Sequence, residues 1–176
     1  AVTKAQPGPR RVGVLGLGIG TIAAYGRPGD TYRLYEINPQ VLEAASRYFY
    51  YLSGSAARIE TVLGDARLVL EREAPQKFDV LAIDAFSGDS IPIHLLTREA
   101  LAIYLRHLKP DGAVVFNVTN RYVDVAPVIQ QLAKDAGYQT LLISDGAENV
   151  ESDDRFKSDW VIVSNSTRML ADPDVT

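Results

Sequence analysis

The chain has no cysteine, which excludes a disulfide framework and any thiolate nucleophile or ligand. Its two histidines are too few to build a histidine-rich metal centre, so no metal site is expected. No apolar run approaches 18 residues and no signal-peptide pattern opens the chain. The sequence therefore predicts no direct membrane insertion and a cytoplasmic location. Positive charge is in short supply: Lys plus Arg number 18 against 22 Asp plus Glu, a net charge of −4. That balance gives no global field to draw the protein to nucleic acid or an acidic membrane, and it points to a small or cationic partner. Internal repeats and low-complexity tracts are absent as well. What is present, 47% hydrophobic and 23% charged residues, is ordinary globular composition. A length of 176 residues suits one domain rather than two.

Residues 1–9 hold two prolines and a glycine and little that would be buried, so they read as a linker. Residues 10–168 read as the folded domain and 169–176 as a polar tail that stops without a capping element. The expectation is a domain drawn from a longer parent chain, with a neighbouring domain beside it. Short β-branched runs at 11–17, 31–37, 58–63, 78–84, 113–118, 138–143 and 160–164 are mostly apolar at successive positions, as in Val80-Leu81-Ala82-Ile83. Such runs predict strands covered on both faces. Helical spacing separates them: Val125, Val128, Ile129, Leu132 and Ala133, with Asp124 to cap and Gly137 to terminate; Leu96, Ala100, Leu101, Tyr104, Leu105 and Leu108, ended by Lys109-Pro110-Asp111-Gly112; and Val41, Leu42 and Ala45 behind Asn38-Pro39. The alternation predicts a doubly wound, mostly parallel seven-stranded α/β sheet, Rossmann-like, with ligands outside the carboxyl ends of its strands.

The first strand runs into Gly16-Leu17-Gly18-Ile19-Gly20-Thr21. Glycines here let the backbone turn sharply and approach a ligand, although a tight strand-to-helix turn needs them too. The third glycine comes one residue earlier than the dinucleotide fingerprint requires, which favours a nucleoside of the S-adenosylmethionine type. Glu36 ends the second strand, 18 residues after Gly18, where a carboxylate can accept both hydroxyls of a ribose. Gly64-Asp65-Ala66 follows the third strand, and Asp65 serves either an adenine amino group or a helix cap. Asp84 leaves the fourth strand at the ligand edge, where a carboxylate is costly unless paired or used. With Asp89 it shares a Ser- and Gly-rich loop suited to a cationic amine, or simply to turn chemistry.

Other polar residues carry weaker signals. His94 is near the Asp84 loop but reads first as a capping or packing residue, and His107 as a favourable charge late in its helix. Tyr48, Phe49, Tyr50 and Tyr51 read as a cover for the sheet or a subunit contact, leaving a homodimer open. Asn117, Asn120, Arg121 and Tyr122 read equally as pocket lining or polar loop. The acidic stretch Asp145, Glu148, Glu151, Asp153 and Asp154 reads as a solvated loop, with a cation-attracting lid as the lesser alternative.

Taken in order, Gly16-Leu17-Gly18-Ile19-Gly20, Glu36, Gly64-Asp65-Ala66, Asp84 with its loop and Leu108-Lys109-Pro110-Asp111-Gly112 resemble a class I S-adenosylmethionine-dependent methyltransferase fold. Tyr35-Glu36-Ile37, Gly64-Asp65-Ala66 and residues 84–92 resemble the spermidine synthase (polyamine aminopropyltransferase) family, especially spermidine synthase-like domains fused to membrane segments. The likeness covers residues 10–165. It implies an alkyl transferase using S-adenosylmethionine or its decarboxylated form, with methylthioadenosine or S-adenosylhomocysteine as product and a small amine as acceptor. Gly16, Gly18 and Gly20 would lie beneath the methionine portion, Glu36 at the ribose, Asp65 and Ala66 at the adenine, and Asp84 as the catalytic aspartate, with Asp89 also on the substrate. The same likeness implies tethering to a membrane through segments outside this chain. The sequence departs from the family in having Ile19 where the glycine loop carries an acid for the donor's amine. It also has a short helix after that loop, lacks the amino-terminal β-strand module, and has Ala85 and Phe86 where the family has a compact Asp-Ser-Ser-Asp-Pro loop. These departures leave two alternatives, methyl transfer to a small acceptor and a non-catalytic nucleoside-binding domain.

Overall fold

The computed structural model describes residues 8–86, 91–120, 123–144 and 158–171. Its strands are β1 (Arg11–Leu15), β2 (Thr31–Glu36), β3 (Arg58–Leu63), β4 (Phe78–Ile83), β5 (Leu108–Asn117), β6 (Gln139–Ser144) and β7 (Asp159–Ser164). The α-helices are α1 (Pro39–Tyr48), α2 (Ala66–Arg72), α3 (Arg98–Arg106) and α4 (Ala126–Asp135) between strands, and α5 (Thr167–Leu170) after β7. All seven strands join one sheet in the order β3-β2-β1-β4-β5-β7-β6. β7 runs antiparallel to both its neighbours, and every other pairing is parallel.

Burial explains why consecutive apolar residues make the central strands. Every residue of β4 is buried. Leu81 and Ile83 enter one core with Leu101, Tyr104 and Phe116, while Val80 and Ala82 enter the core on the other face with Val14, Leu34 and Ile162. A strand covered by helices on both sides has no solvent face to mark with polar residues. Polar side chains instead set the helix starts: Asn38, Asp65 and Thr97 accept the N–H groups of Gln40, Leu68 and Ala100. Each such cap contributes about 1 kcal/mol. At α4 the cap position falls to Val125, which makes no side-chain cap bond, and Asp124, expected there, accepts the Ala126 N–H at 3.0 Å from one residue further out.

Three local expectations are corrected. β1 stops at Leu15, two residues before the expected end at 17, because Gly16 turns into the left-handed region at φ 95° and sends its N–H to the Tyr35 carbonyl. Lys109-Pro110-Asp111-Gly112 is not a turn after α3 but the first part of β5. The β4–β5 register shifts between Phe78 and Val80, an irregularity beside which a proline is tolerated, and Lys109 Nζ binds both oxygens of Asp79 at 2.7 and 2.8 Å. His107 is fully buried rather than a charge at a helix end. Its Nδ1 accepts the Gln76 N–H and its Nε2 donates to the Leu70 carbonyl, so the ring is neutral, and burial holds its pKa below the usual value.

Candidate functional site

The strand order runs outward in opposite directions from the parallel pair β1 and β4, and a crevice opens beyond their carboxyl ends. A cavity of about 600 Å³ occupies it. Six of the eight residues singled out by sequence line its wall: Gly16, Gly18, Glu36, Asp65, Ala66 and Asp84. Gly20 does not. A Cβ there would lie 2.8 Å from Leu52, so this glycine makes room for packing beneath the loop. Asp89 lies outside the described residues, as do Arg121, Tyr122 and the acidic stretch from Asp145 to Asp154.

Gly16 and Gly18 serve different needs. A side chain at Gly16 would meet the Asp84 carbonyl oxygen at 2.5 Å, because the backbone leaving β4 crosses there and the Asp84 N–H bonds to the Leu15 carbonyl at 2.9 Å. Around Gly18, at φ 53°, nothing lies within 4 Å of a would-be Cβ. Bare backbone therefore faces open cleft, where a ligand can approach closely. Between them Leu17 is buried in the core and anchors the loop.

Glu36 ties two loops together. Its Oε2 accepts the Leu17 N–H at 3.1 Å and its Oε1 the Asn38 N–H at 2.8 Å. Each carboxylate oxygen keeps a further lone pair, so the same group that shapes the glycine loop can receive ribose hydroxyls. Asp65 also does two things: Oδ1 caps α2 through the Leu68 N–H at 3.0 Å, and Oδ2 meets His94 Nε2 at 3.1 Å. His94, set aside by sequence as a packing residue, thus lines the cleft beside Asp65. Arg67 fixes the backbone there by donating to the His94 carbonyl at 2.7 Å. Neither contact leaves a mark in the sequence, since 29 residues separate His94 from Asp65.

Asp84 is largely withdrawn from water, and this burial pushes its carboxyl pKa up; a hydrogen bond from Asn117 Nδ2 to Oδ1, at 2.8 Å, pulls the other way. Beside it Phe86 is 42% exposed, leaving an apolar ring at the mouth of the cleft. Of the residues read as either pocket lining or polar loop, Asn117 touches Asp84, whereas Asn120 accepts the Val123 N–H in the following turn. The cluster at Tyr48, Phe49, Tyr50 and Tyr51 is not part of the cleft wall; Tyr48 and Tyr50 are more than 70% exposed. Among the described residues no group of three or more His, Asp or Glu side chains could hold a metal ion, and no helix is long and apolar enough to cross a membrane.

No family model matches the chain. A polyamine aminopropyltransferase of Vibrio vulnificus is 38% identical over 117 residues, 64% of this chain and 38% of that protein. An N-terminal histidine N-methyltransferase of Emericella nidulans is 33% identical over 109 residues, 59% of this chain and 19% of that protein. The chain thus spans well under half the length of these curated relatives. Among solved structures, a spermidine synthase in complex with the transition-state analogue AdoDATO matches at TM-score 0.68 and 20% identity over 91% of this chain and 56% of that one. Human methyltransferase-like protein 13 in complex with SAH matches at TM-score 0.69 and 19% identity over 92% of this chain and 77% of that one. The strand order, the glycine loop and these neighbours define a class I S-adenosylmethionine-dependent methyltransferase fold. Within that class the chain is similar in sequence to polyamine aminopropyltransferases and in fold to spermidine synthases.

Proposed function

We propose that this chain is an S-adenosyl-nucleoside-dependent transferase that moves an alkyl group, aminopropyl in the leading reading, from a sulfonium donor to a small amine. One observation carries the acceptor side: Asp84, a partly buried carboxylate at the switch point of the sheet, opens onto the same cleft as Gly18 and Glu36. The aminopropyltransferase of Vibrio vulnificus adds support from sequence.

In this reading Glu36 holds the ribose, Asp65 and Ala66 the adenine, and the backbone at Gly16 and Gly18 lies under the sulfonium chain. The donor supplies a carbon already activated by positive sulfur, so the protein's work is alignment. Asp84 attracts the acceptor as an ammonium ion and takes up the surplus proton. The nitrogen lone pair then forms the new C–N bond as the C–S bond breaks and its electron pair returns to sulfur. A carboxylate of ordinary pKa near 4 is a weak base for an amine of pKa near 10, and the burial that raises the Asp84 pKa narrows this mismatch.

Methyl transfer is the second reading, favoured by Ile19. This apolar residue, 41% exposed, stands in the glycine loop at the position where an acid would bind the donor's amine. The Emericella relative, named as an N-methyltransferase, has the same bearing. Calorimetry with S-adenosylmethionine, decarboxylated S-adenosylmethionine and methylthioadenosine, followed by mass analysis of products with putrescine, separates the readings. An aminopropylated amine supports the first and a methylated one the second. Binding without turnover, unaltered by D84N, would mean a nucleoside-binding domain that does no chemistry, and absence of binding by every nucleoside would end the cofactor assignment.

A further inference from the structure

The parallel register of β4 and β5 pairs Ile83 with Phe116, so the next residues, Asp84 and Asn117, leave the sheet side by side. Asn117 is held from its far side. Its Oδ1 accepts the backbone N–H of Thr119 at 3.1 Å, and because a backbone N–H can only donate, this contact fixes which end of the amide faces Asp84. Thr119 is itself anchored: its Oγ1 accepts the Asp159 N–H at 2.9 Å, and the neighbouring Val118 N–H bonds to the Asp159 carbonyl at 2.8 Å. The amide therefore stands on the antiparallel β5–β7 ladder. Its Nδ2 reaches Asp84 Oδ1 at 2.8 Å, whereas Oδ2 has no hydrogen-bond partner among the described residues.

We propose that Asn117 is the positioning residue of the acceptor site, orienting the Asp84 carboxylate so that Oδ2 alone is presented to the incoming amine. The proposal rests on the amine-transfer reading for its consequence in catalysis, but the coupling of the two side chains stands on geometry alone. An amide donor suits this place because it binds the ionised carboxylate without bringing a charge that would compete with a cationic acceptor. A lysine or arginine would pair with Asp84 and repel the ammonium ion. The titratable groups that share the cleft, Glu36 at the end of β2, Asp65 at the start of α2 and His94 in the turn after β4, are tied to other partners: Glu36 to two backbone N–H groups, Asp65 and His94 to each other. Tyr35, also on the cleft wall, is bonded to Arg33 and Glu73.

The test has two arms, one independent of turnover. Carbon-detected NMR titration of the Asp84 carboxyl should show its pKa rise in N117A, since a hydrogen bond to the charged form has been lost. It should rise further in the isosteric N117D, which sets a second carboxylate beside it and keeps the side-chain volume if N117A folds poorly. In the activity arm, N117A should lower kcat/KM for the amine by roughly 10- to 100-fold, the worth of one charge-assisted hydrogen bond. The acidic limb of the pH profile should move up with the carboxyl pKa, and the Kd for methylthioadenosine should stay unchanged. In a D84N background N117A should have no further effect on kcat, which a general loss of structure would not reproduce. An Asp84 titration that ignores both substitutions would overturn the proposal, as would additive losses in the double variant. If the wild type turns over no amine, the transfer reading fails by itself, and the titration still decides whether Asn117 governs Asp84.

Discussion

Replacing Glu36 with glutamine looks conservative but should not be. The carboxylate accepts two backbone N–H groups, Leu17 at 3.1 Å on the partly buried side and Asn38 at 2.8 Å on the exposed side. A glutamine has one acceptor oxygen, so one of the two N–H donors must face an NH₂ group. The oxygen will turn to Leu17, where water cannot substitute, and the Asn38 N–H will be left to solvent at a cost of about 1 kcal/mol in denaturant unfolding. The effect on the nucleoside should be larger. Ribose hydroxyls donate to a carboxylate in charge-assisted hydrogen bonds of about 1.5–3 kcal/mol, which corresponds to roughly 10- to 150-fold in Kd. Calorimetry with methylthioadenosine and its 2′,3′-dideoxy counterpart separates the two roles of the residue. Wild type should prefer the ribose form, and E36Q should lose most of that preference. If E36Q weakens both ligands equally, Glu36 acts only by shaping the loop and the ribose assignment is wrong.

The two glycines should part company under substitution. G18A meets only the left-handed backbone strain, about 1–2 kcal/mol, and should chiefly weaken nucleoside binding, whereas G16A adds about 1–3 kcal/mol of overpacking against the Asp84 carbonyl; equal urea midpoints would refute the distinction. D84N should raise the thermal midpoint, because burial penalises the charge it removes, and should lower turnover by about 10²- to 10⁴-fold, so a destabilised or fully active variant would contradict the role given to this residue. The lowered pKa of His107 sets a pH dependence of stability. An unfolded chain takes up a proton as the pH falls below 6.5 and the folded one does not, so stability is full above 6.5 and is lost as the pH falls through the folded pKa. Removing the imidazole in H107Q should shrink the loss of urea midpoint between pH 7.5 and 5.0 seen in wild type, while the raised pKa of Asp84 acts in the opposite sense in both proteins and the lowered pKa of Asp30 acts in a separate window beneath 3.8.

The parts of this fold that were legible in the sequence are those written in local, consecutive residues. Val80-Leu81-Ala82-Ile83 announces a strand buried on both faces, and Asn38-Pro39 and Asp65-Ala66 announce helix starts, because propensity, capping and burial agree there. The strand end at Leu15 was misplaced because apolar Leu17 continues the pattern of β1, although it is the anchor of a loop rather than a strand residue. Lys109-Pro110-Asp111-Gly112 carries every local mark of a turn, yet it lies inside β5 as the irregularity between Leu108 and Ala113, which pair with Phe78 and Val80, and Lys109 is held there by Asp79; tertiary partners override a four-residue signal. His107 departs from expectation for the same reason, since its partners Gln76 and Leu70 are 31 and 37 residues away.

Within the cleft the same division holds, and it separates two kinds of residue. Asp84 could be picked out because a carboxylate leaving a buried strand is costly unless used, and Glu36 and Asp65 because they follow the second and third strands at the ligand edge, rules that need only the strand ends. Asn117 and His94 are groups whose meaning lies in what they touch, Asp84 across two adjacent strands and Asp65 across a loop. Cost marks a charged residue in a sequence; nothing marks the amide that orients it. For that reason the acids of such a site can be read from strand order alone, while the side chains that decide which carboxylate oxygen is offered, and at what pKa, become visible only when the strands are set side by side.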